Sequence, residues 1–495
     1  MLRSRLLSVF FVVSFALSAC AQSENKAAAP PEREAAYPAS EDLSAVSDEA
    51  LLEDLARRTF DFFWETANPE NGLVPDRYPA PPFSSVAAVG FALTAYPIGI
   101  ERGYVSREAA RARVLTTLRF FMNAPQGDAP AGVTGYKGFF YHFLDMETGA
   151  RFSPEIELST IDTALFLAGV LFCQSYFDGD DPREEEIREL AEAIYARVDW
   201  TWASPNPPLV SLGWKPESGF IPYDWTGYNE AMLLYILALG APDHAVAGEA
   251  WREWTRGYAD DWGSAQGVTH LMFPPLFGHQ YSHSWIDFRG IADEYMRGKG
   301  IDYFENSRRA ALAQRKYTIA NPHRWRGYDA DIWGLTASDG PAATVRVFAG
   351  ERRRFRAYAA RGLEGKPDSG RFKQGYDDGT IAPTAAAASI AFAPEIAIPA
   401  IRAMRERYGS EIYGEYGFLD AFNPSFEFDI PLAYGRLAPG AGWVDTQYLG
   451  IDQGPILIMI ENYQSGLVWK IMRRNPHISE GLKRAGFSGG WLDER

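Results

Sequence analysis

The segment "PEIELSTIDTALFLAGVLFCQ" (residues 154–174) places three carboxylates, Glu155, Glu157 and Asp162, just ahead of a long apolar run. Ser159, followed by Asp162 three positions later, forms a capping box, and acids in a first turn are stabilised by the helix dipole. Capping uses one or two acids at the helix start, but not those farther upstream. The segment therefore predicts a helix from about residue 160 and leaves a chemical role open for Glu157 and Asp162.

Apolar residues at three- and four-residue intervals recur along the rest of the chain, beginning at Glu49 in "EALLEDLARRTFDFFWETA". The other helical stretches cover residues 85–102, 107–124, 160–177, 183–200, 226–239, 243–258, 285–296, 303–319, 384–392, 395–407 and 453–473. About twelve helices are joined by long Gly-, Pro- and aromatic-rich loops. There are no Val/Ile-rich strands of a doubly wound sheet and no regular repeat of a solenoid. This pattern predicts an all-α fold, a closed (α/α)6 barrel or toroid whose cleft is formed by long loops and one short β-hairpin at 131–152.

The composition fits a soluble domain with a large core, since 46% of the 495 residues are hydrophobic and 14% are aromatic. The net charge is −16, and no run of lysine and arginine is present. Nucleic acid is therefore not expected as a partner, because phosphate binding relies on clustered basic side chains. Polyanionic substrates are disfavoured for the same reason, and neutral ligands remain open.

The N-terminus, "MLRSRLLSVFFVVSFALSAC", combines basic residues, an apolar run and small residues before Cys20. This order is typical of a secretory signal with a lipobox, and the apolar run is shorter than the ~20 residues of a spanning helix. We expect a lipoprotein signal peptide over 1–20, a flexible tether over 21–48 and one domain over 49–495. Lipidated Cys20 would attach the protein to the outer membrane, facing the periplasm or the cell surface.

Carboxylates also occur where loops meet helices. Glu230, in "DWTGYNEAMLLYILALG", is placed about one turn into a helix that Thr226 could cap. Asp420, in "YGFLDAFNPS", precedes the turn signal Asn423-Pro424, and no helix follows it. Capping does not explain Asp420, although an aspartate in a loop can also serve only to bond the loop backbone. Both residues are candidates for chemistry.

The loops are rich in large aromatic side chains: Trp64, Tyr78, Tyr141, Trp214, Trp225, Tyr281, Trp285, Tyr416 and Trp443. Aromatic faces can stack on sugar rings, and paired carboxylates cleave glycosidic bonds by protonating the leaving oxygen and activating water. For any single tryptophan, sealing a large barrel is the better explanation. For the set as a whole, a glycan cleft is the favoured interpretation.

Other chemistries find little support. "GFSGG" (486–490) matches a nucleophile elbow, but no histidine follows it, as the Ser…Asp…His order would require. His279 and His283 have the spacing of metal ligands on one helical face, yet no third ligand is obvious. Cys173 lies within an apolar run and is expected to be a buried small residue. We therefore expect no metal and no cofactor.

The chain resembles the bacterial glycoamylase-like domain of glycoside hydrolase family 144 from about residue 51 to 475. The resemblance is carried by eight segments that follow one another along the chain: "RRTFDFFWETANPENGLVPDR", "GFFYHFLDMETG", "ELSTIDTALFLAGVL", "GYNEAMLLYILALG", "FGHQYSHSWIDFRG", "DDGTIAPTAAAASIAFAPE", "YGFLDAFNPS" and "GIDQGPILIMIENYQSG". It implies an (α/α)6 barrel that hydrolyses β-1,2-glucan with inversion, either as an endo-acting enzyme or by releasing sophorose.

The resemblance also implies roles for individual residues. Glu230 would be the proton donor, Asp420 the base for water, and Glu157 and Asp162 would line the catalytic subsite. The residues expected to bind substrate are Trp64, Asp76, Arg77, Tyr281, His283, Trp285, Asp287, Arg289, Trp443 and Asp452.

The expected partner is a neutral β-glucan, bound by a monomer. The stretch 345–373 reads as an insertion that could reshape the rim of the cleft, so endo and exo action both remain open. Two alternatives are a hydrolase of another β-glucan or exopolysaccharide, and a non-catalytic glycan-binding lipoprotein. Several potentially desolvated acids count against the second, because a pure binder gains little from them.

Overall fold

The computed structural model describes residues 43–494 except 80–82, 366–367 and 369–374. The predicted signal peptide, Cys20 and most of the predicted tether lie outside the described residues. Packing begins before the expected boundary at 49, because Leu43–Ala45 form a 3-10 helix, Leu43 is buried, and the first α-helix starts at Asp48. Within the described part of the chain, no helix combines the length and apolar character needed to cross a membrane.

The first six α-helices are α1 (Asp48–Thr66), α2 (Val86–Glu101), α3 (Arg107–Asn123), α4 (Thr160–Tyr176), α5 (Pro182–Ala196) and α6 (Met232–Gly240). Two short helices follow, α7 (Ala250–Trp254) and α8 (Tyr258–Asp261). The remaining helices are α9 (Phe277–Trp285), α10 (Glu294–Lys299), α11 (Tyr303–Ala320), α12 (Pro383–Ala387), α13 (Pro394–Tyr408), α14 (Gly450–Gln464), α15 (Leu467–Met472), α16 (Pro476–Arg484) and α17 (Gly490–Asp493).

Six of these helices form an inner ring, and they are buried on nearly every side: α2, α4, α6, α9, α12 and α14. The ring closes because α2 packs on α4 and α14, α4 packs on α6, α6 on α9, and α12 on α14. Gln280 of α9 donates a 2.8 Å hydrogen bond to the carbonyl of Ala385 in α12 and completes the circle. Outer helices such as α1, α3, α5, α11 and α13 alternate with the inner ones along the chain. The predicted (α/α)6 toroid is confirmed.

Glycines set the closest approach between two inner helices, α2 and α4. A Cβ on Gly169 would lie 2.1 Å from the carbonyl oxygen of Gly90, and a Cβ on Gly90 would lie 2.3 Å from that of Leu165. Neither position admits a side chain without moving a helix backbone. Cys173 is buried beside this contact and donates to the carbonyl of Leu93, as its apolar context predicted.

Several predicted helices differ from the observed ones. The stretch 285–296 is wrong as one helix, because α9 ends at Trp285 and α10 begins only at Glu294. The stretch 243–258 is divided between α7, a 3-10 turn and α8. The apolar stretch 453–473 contains two helices, α14 and α15, separated near Gly466.

Helix α16 lies beyond the last predicted helix and fills the outer layer beside α6. A Cβ on Gly481 would lie 2.0 Å from the carbonyl oxygen of Ile236. The C-terminal part of the chain thus completes a ring whose other helices come from much earlier in the sequence.

The strands are short and lie mostly in the loops: β1 (Arg77–Tyr78), β2 (Phe83–Ser85), β3 (Gly135–Tyr136), β4 (Phe139–Tyr141), β5 (Phe143–Asp145), β6 (Leu158–Ser159), β7 (Gly213–Lys215), β8 (Gly219–Phe220), β9 (Trp262–Ala265), β10 (Val268–Leu271), β11 (Ala337–Asp339), β12 (Thr344–Phe348), β13 (Glu351–Phe355), β14 (Tyr358–Ala360), β15 (Tyr413–Gly414), β16 (Gly417–Phe418), β17 (Phe422–Asn423), β18 (Arg436–Ala438), β19 (Gly442–Val444) and β20 (Tyr448–Leu449).

The predicted hairpin at 131–152 is part of a larger arrangement. β3 and β4 form an antiparallel hairpin that turns at Lys137 and Gly138, and it belongs to a five-stranded sheet ordered β3-β4-β6-β7-β8. β5 instead pairs with β2. Hairpins elsewhere, including β12–β13, were not predicted.

The inner helices begin at one end of the ring, since outer helices run back between them. β2, β6 and β20 lead directly into α2, α4 and α14 at this end. The loops that precede the inner helices therefore converge there and bring their side chains into one cleft.

Candidate active site

Tyr281, in the second turn of α9, lies at the centre of the cleft. Burial raises the pKa of its phenol well above 10, and the carboxylates of Asp452, Glu230 and Asp162 raise it further. Its hydroxyl donates a 3.4 Å hydrogen bond to the carbonyl of Ile451. Three acids predicted from distant parts of the sequence are thus close enough to this phenol for their charges to raise its pKa.

His142 joins two of the predicted acids at the start of α4. Its Nδ1 lies 3.0 Å from Oε1 of Glu157, and its Nε2 lies 3.6 Å from Oδ2 of Asp162. Burial opposes a charge on the ring, but Asp162 and Glu157 outweigh it and raise the pKa of His142 to about 9. The imidazole is therefore an imidazolium at neutral pH.

The pKa values of the two acids that contact His142 are shifted in opposite directions. Burial would raise the pKa of Glu157, but the charge and hydrogen bond of His142 lower it below its usual value. Burial raises the pKa of Asp162, which also accepts a 2.5 Å hydrogen bond from the Ser159 hydroxyl. The Ser159 oxygen in turn accepts from the backbone N–H of Asp162, so the predicted helix start is confirmed. Asp162 thus belongs to both the helix cap and the cleft.

A second group of acids lies on the facing loops, where Asp339, Asp420 and Asp445 each place one oxygen within 4.8 Å of the others. The backbone N–H of Asp339 donates a 2.7 Å hydrogen bond to Oδ2 of Asp420. Asp452, in the first turn of α14, shares a side-chain hydrogen bond with Asp420. All four carboxylates are buried.

Crowding of these buried acids favours shared protons. Burial raises the pKa of Asp420 well above its usual value, and Asp452 and Asp339 raise it further. Burial also raises the pKa of Asp452 to about 8. Two carboxyl groups that share a hydrogen bond titrate as a pair. The spacing of Asp339, Asp420 and Asp445 would also suit oxygen ligands of a cation.

Arg77 supplies positive charge to this second group. Its Nη1 donates to Asp339 at 2.8 Å, and its Nε donates to the neighbouring Asp76 at 3.2 Å. Both Asp76 and Arg77 are buried where β1 meets β20. The structure therefore places this predicted pair inside the cleft.

Arg361 fixes the loop that carries Asp339. The guanidinium is fully buried, pairs with Asp378 at 2.8 Å and donates to the carbonyls of Ser338 and Asp339 at 2.7 and 3.1 Å. These bonds tie together β11 and the chain before α12.

Glu230 is partly buried and lies two residues before α6, not within the helix. Thr226 does not cap this helix. Among the described residues no side chain caps α6, and Asn229 accepts a 3.0 Å hydrogen bond from the backbone N–H of Ala231, one residue before the helix. The Ser282 hydroxyl of α9 donates to the carbonyl of Glu230 at 3.1 Å. These bonds position the glutamate at the cleft end of α6, on the side of Tyr281.

Four predicted binding residues lie away from the cleft, at or beyond the last turn of α9. His283 is buried, and its Nε2 lies 3.1 Å from the Ser307 hydroxyl. Trp285 is buried, stacks on Phe91 and donates to Thr94 at 2.9 Å. These two were wrongly placed because α9 begins at the cleft and carries its last turn to the opposite end of the ring.

Asp287 and Arg289 were wrongly placed for the same reason. They form an ion pair of 2.8 Å with each other, and Arg473 also pairs with Asp287. The group lies just after α9, at the end of the ring opposite the cleft. It is a structural ion-pair network.

Two predicted tryptophans are packing residues. Trp64 lies against Arg113, whose guanidinium is 4.0 Å from its ring centre, and contacts Tyr96 of α2. Trp443 is buried in β19 and donates to the carbonyl of Tyr434 at 2.8 Å. Trp443 supports the loop from which Tyr434 reaches Arg77.

The site also contains four residues that were not predicted: His142, Asp339, Asp445 and Tyr358. Burial and the charges of Asp339 and Asp420 raise the pKa of the Tyr358 phenol. His142 does lie in the segment "GFFYHFLDMETG", where a histidine between apolar positions was a usable signal. Asp339 occurs in "SDGP", which reads as an ordinary turn. Nothing local distinguishes such a residue from other loop aspartates.

The chain is similar to proteins of known structure and activity. A family model described as "Glycoamylase: Putative glucoamylase" matches residues 222–476. A protein of the same description from Bacteroides uniformis is 30% identical, with a TM-score of 0.76 over 91% of this chain and 100% of that one.

Two relatives carry more specific descriptions. An endo-β-1,2-glucanase from Chitinophaga pinensis, solved with sophorotriose and glucose, is 29% identical with a TM-score of 0.76, over 90% of this chain and 100% of that one. An exo-β-1,2-glucooligosaccharide sophorohydrolase (non-reducing end) from Parabacteroides distasonis is 28% identical over 470 residues, 89% of this chain and 58% of that protein. The chain thus spans less than two thirds of the sophorohydrolase's length.

Proposed function

The chain belongs to the glycoamylase family, and from this membership we propose that it is a glycoside hydrolase that cleaves β-1,2-glucan with inversion. The observation that carries the proposal is that Glu230, Asp162 and Asp452, from distant parts of the sequence, all lie close enough to Tyr281 for their charges to raise the pKa of its phenol. Relatives described as β-1,2-glucan hydrolases support the choice of linkage.

The cleft suits a neutral sugar chain. Carboxylates and Arg77 can form hydrogen bonds with the hydroxyl groups of glucose. The net charge of −16 does not favour binding of a polyanion. Tyr281, Tyr358 and Tyr434 lie among the acids and provide aromatic surface. This combination recognises hydroxyl groups and apolar sugar faces together.

In the proposed reaction, Glu230 donates its proton to the glycosidic oxygen as the bond to the anomeric carbon breaks. Asp420 takes a proton from a water molecule, whose oxygen bonds to the anomeric carbon from the opposite face. The products are two shorter saccharides, one with an inverted anomeric centre. Asp452 exchanges a proton with Asp420, and the Glu157–His142–Asp162 group binds and orients the sugar beside the leaving oxygen.

The test is hydrolysis of linear β-1,2-glucan, followed by product length and by the anomeric form of the new reducing end. Wild-type protein should release the α-anomer first, and Glu230→Gln and Asp420→Asn should each lower kcat by at least about a hundredfold. The matched control is Glu155→Gln, because Glu155 is exposed and lies in the loop that also carries Glu157. Folded wild-type protein that leaves β-1,2-glucan intact would refute the proposal.

A panel of other glucans separates the alternatives. Cleavage of a different linkage alone would assign the cleft to another β-glucan or exopolysaccharide. Binding of β-1,2-glucan without cleavage would indicate a glycan-binding protein. Sophorose as the sole early product would indicate exo action, and mixed lengths would indicate endo action.

We also propose that the protein is exported as a monomeric outer-membrane lipoprotein attached through Cys20. The support is the sequence "LSAC" after a basic and apolar N-terminal region. Labelling of cells with a palmitate analogue should mark the wild-type protein in the outer-membrane fraction and leave Cys20→Ser unmarked. Equal labelling of both would contradict the assignment, and light scattering of the detergent-free mature domain would show whether it is a monomer.

A further inference from the structure

The hairpin β12–β13 is fixed to the body through one of its two faces. Phe348 stacks on Trp325 with ring centres 5.0 Å apart, and the buried Phe355 packs on Phe426 at the same separation. Arg353 also lies over Trp325, with its guanidinium 5.4 Å from the ring centre. The hairpin is therefore a packed element, and its second face has a defined orientation.

The second face points outward and combines apolar and basic residues. Val345 lies opposite Arg354, and Val347 lies opposite Arg352, so these four side chains share one side of the hairpin. Val345 is 40% exposed and Val347 is 63% exposed, and both arginines are exposed. We call these four residues the outer hairpin face.

This face differs in charge from the protein as a whole. The chain has a net charge of −16, yet neither Arg352 nor Arg354 forms an ion pair with any residue that the structure describes. Arg353, on the packed side, pairs with Glu351 at 2.7 Å. The outward arginines are thus available to an anionic partner on a chain whose net charge is negative.

The position of the face is also informative. Beside it, a hollow of about 500 Å³ is lined by Arg324, Arg326, Val347 and Phe428, among others. Arg402 of α13 donates to the carbonyl of Leu43, and Arg407 of the same helix pairs with Asp329, three residues after Arg326. The contacts of α13 therefore link the start of the described chain to the segment that lines this hollow.

We propose that the outer hairpin face docks on a phospholipid bilayer that contains anionic headgroups. The two valines enter the headgroup region, and the two arginines bind lipid phosphates. Apolar residues beside basic ones are the composition of surfaces that lie on membranes, and guanidinium groups bind phosphate with two parallel hydrogen bonds. A soluble polyanion would leave the valines in water, and a sugar chain would call for aromatic rather than branched aliphatic surface.

The experiment uses the full chain with Cys20→Ser and a single reactive cysteine at Val347→Cys, labelled with an environment-sensitive fluorophore. Cys173 is buried and stays unlabelled. Vesicles of phosphatidylethanolamine and phosphatidylglycerol should raise the emission at least about twofold, and pure phosphatidylcholine vesicles should not. Arg352→Gln with Arg354→Gln should weaken this response by about tenfold in lipid concentration, because each basic residue near an anionic surface contributes.

The matched control carries the same label at Tyr463→Cys. Tyr463 is 41% exposed and lies near the end of α14, at the opposite end of the ring from the cleft. Both labelled proteins share one N-terminal region, so a difference between the probes reports the hairpin alone. An equal response of the two probes would overturn the proposal. So would equal binding to phosphatidylcholine, or the same response to heparin or β-1,2-glucan without vesicles. Hydrolysis of soluble glucan by the arginine variants should match wild type, and its loss would be a separate finding about the cleft.

Discussion

At the scale of single residues, the acids of the cleft differ in protonation because their neighbours differ. Glu157 lies against the imidazolium of His142, which lowers its pKa. Asp420 lies among other buried carboxylates, which together with burial raise its pKa. An ionised group and a proton-sharing pair can therefore coexist in one site at one pH.

Asp452→Asn should move the acidic limb of the kcat/KM profile to lower pH. After burial, the charge of Asp452 does most to raise the pKa of Asp420, so its removal lets Asp420 ionise more easily. Because the proposed base acts when ionised, activity should persist farther into acid, although kcat itself falls. The profile of Glu155→Gln should overlay that of wild type. A limb that stays in place or moves to higher pH would disconnect Asp452 from the base.

His142→Gln should reduce the loss of thermal stability that occurs as the pH rises from 6.5 to 9.5. The pKa of His142 is about 9 in the folded protein and about 6.5 in the unfolded chain. A raised pKa gives a stabilisation that is complete below pH 6.5 and is lost as the pH rises through 9. The Tm of wild type should therefore fall more between pH 6.5 and 9.5 than that of the variant.

A second histidine provides the control for this measurement. Burial lowers the pKa of His270 to about 4, so this residue is neutral throughout the same pH range. His270→Gln should lower the Tm at every pH and leave its slope unchanged above about pH 7.5, because His270 is then neutral in both the folded and the unfolded state. If His142→Gln behaved in the same way, the imidazolium assigned to His142 would be incorrect.

At the scale of elements, three inner helices are too short to be stable alone. α6 and α9 have nine residues each and α12 has five, whereas isolated helices of fewer than about 12 residues are marginal in water. They are helical because the ring buries them, and their boundaries follow from packing. The predicted limits were least accurate at these helices for that reason.

Gly169→Ala should destabilise the ring by about 1–3 kcal/mol, the usual range for overpacking a tight core. The added methyl would lie 2.1 Å from the carbonyl oxygen of Gly90, so α2 and α4 must separate. Urea unfolding followed by circular dichroism measures the loss as a lower midpoint with an unchanged slope.

The comparison for this variant is Gly298→Ala in α10, where no atom lies within 4 Å of the new methyl. Alanine there should leave stability unchanged or raise it by about 0.5–1 kcal/mol, as in other open helical positions. Equal losses of stability at the two glycines would mean that the close contact between α2 and α4 does not cause the destabilisation.

At the scale of the whole molecule, the cleft is assembled from segments spread over the chain. Arg77 comes from before α2, His142 from the loop before α4, and Asp452 from the last inner helix. A ligand that bonds to all of them links distant parts of the ring. Ligand binding should therefore act on global stability as well as on the loops.

A β-1,2-linked gluco-oligosaccharide should raise the Tm of Glu230→Gln, which binds substrate without turning it over. At a hundred times the Kd the gain is about 2.7 kcal/mol, since only the folded state binds. Scanning calorimetry with increasing oligosaccharide measures the shift, and a β-1,4-linked oligosaccharide of the same length should give little. Equal shifts with both sugars would contradict the proposed linkage.

The sequence by itself determined the helical periodicity, the all-α ring and the acids at helix starts, because these depend on local patterns of apolar residues and caps. It placed Glu230, Asp162, Asp420 and Asp452 in one cleft through the family resemblance. The tertiary structure alone decided which end of α9 faces the cleft, and so excluded Trp285 and Asp287. It also brought His142 between two acids and Asp339 onto Arg77. Such contacts depend on closure of the ring between residues far apart in the chain, and no local pattern encodes them.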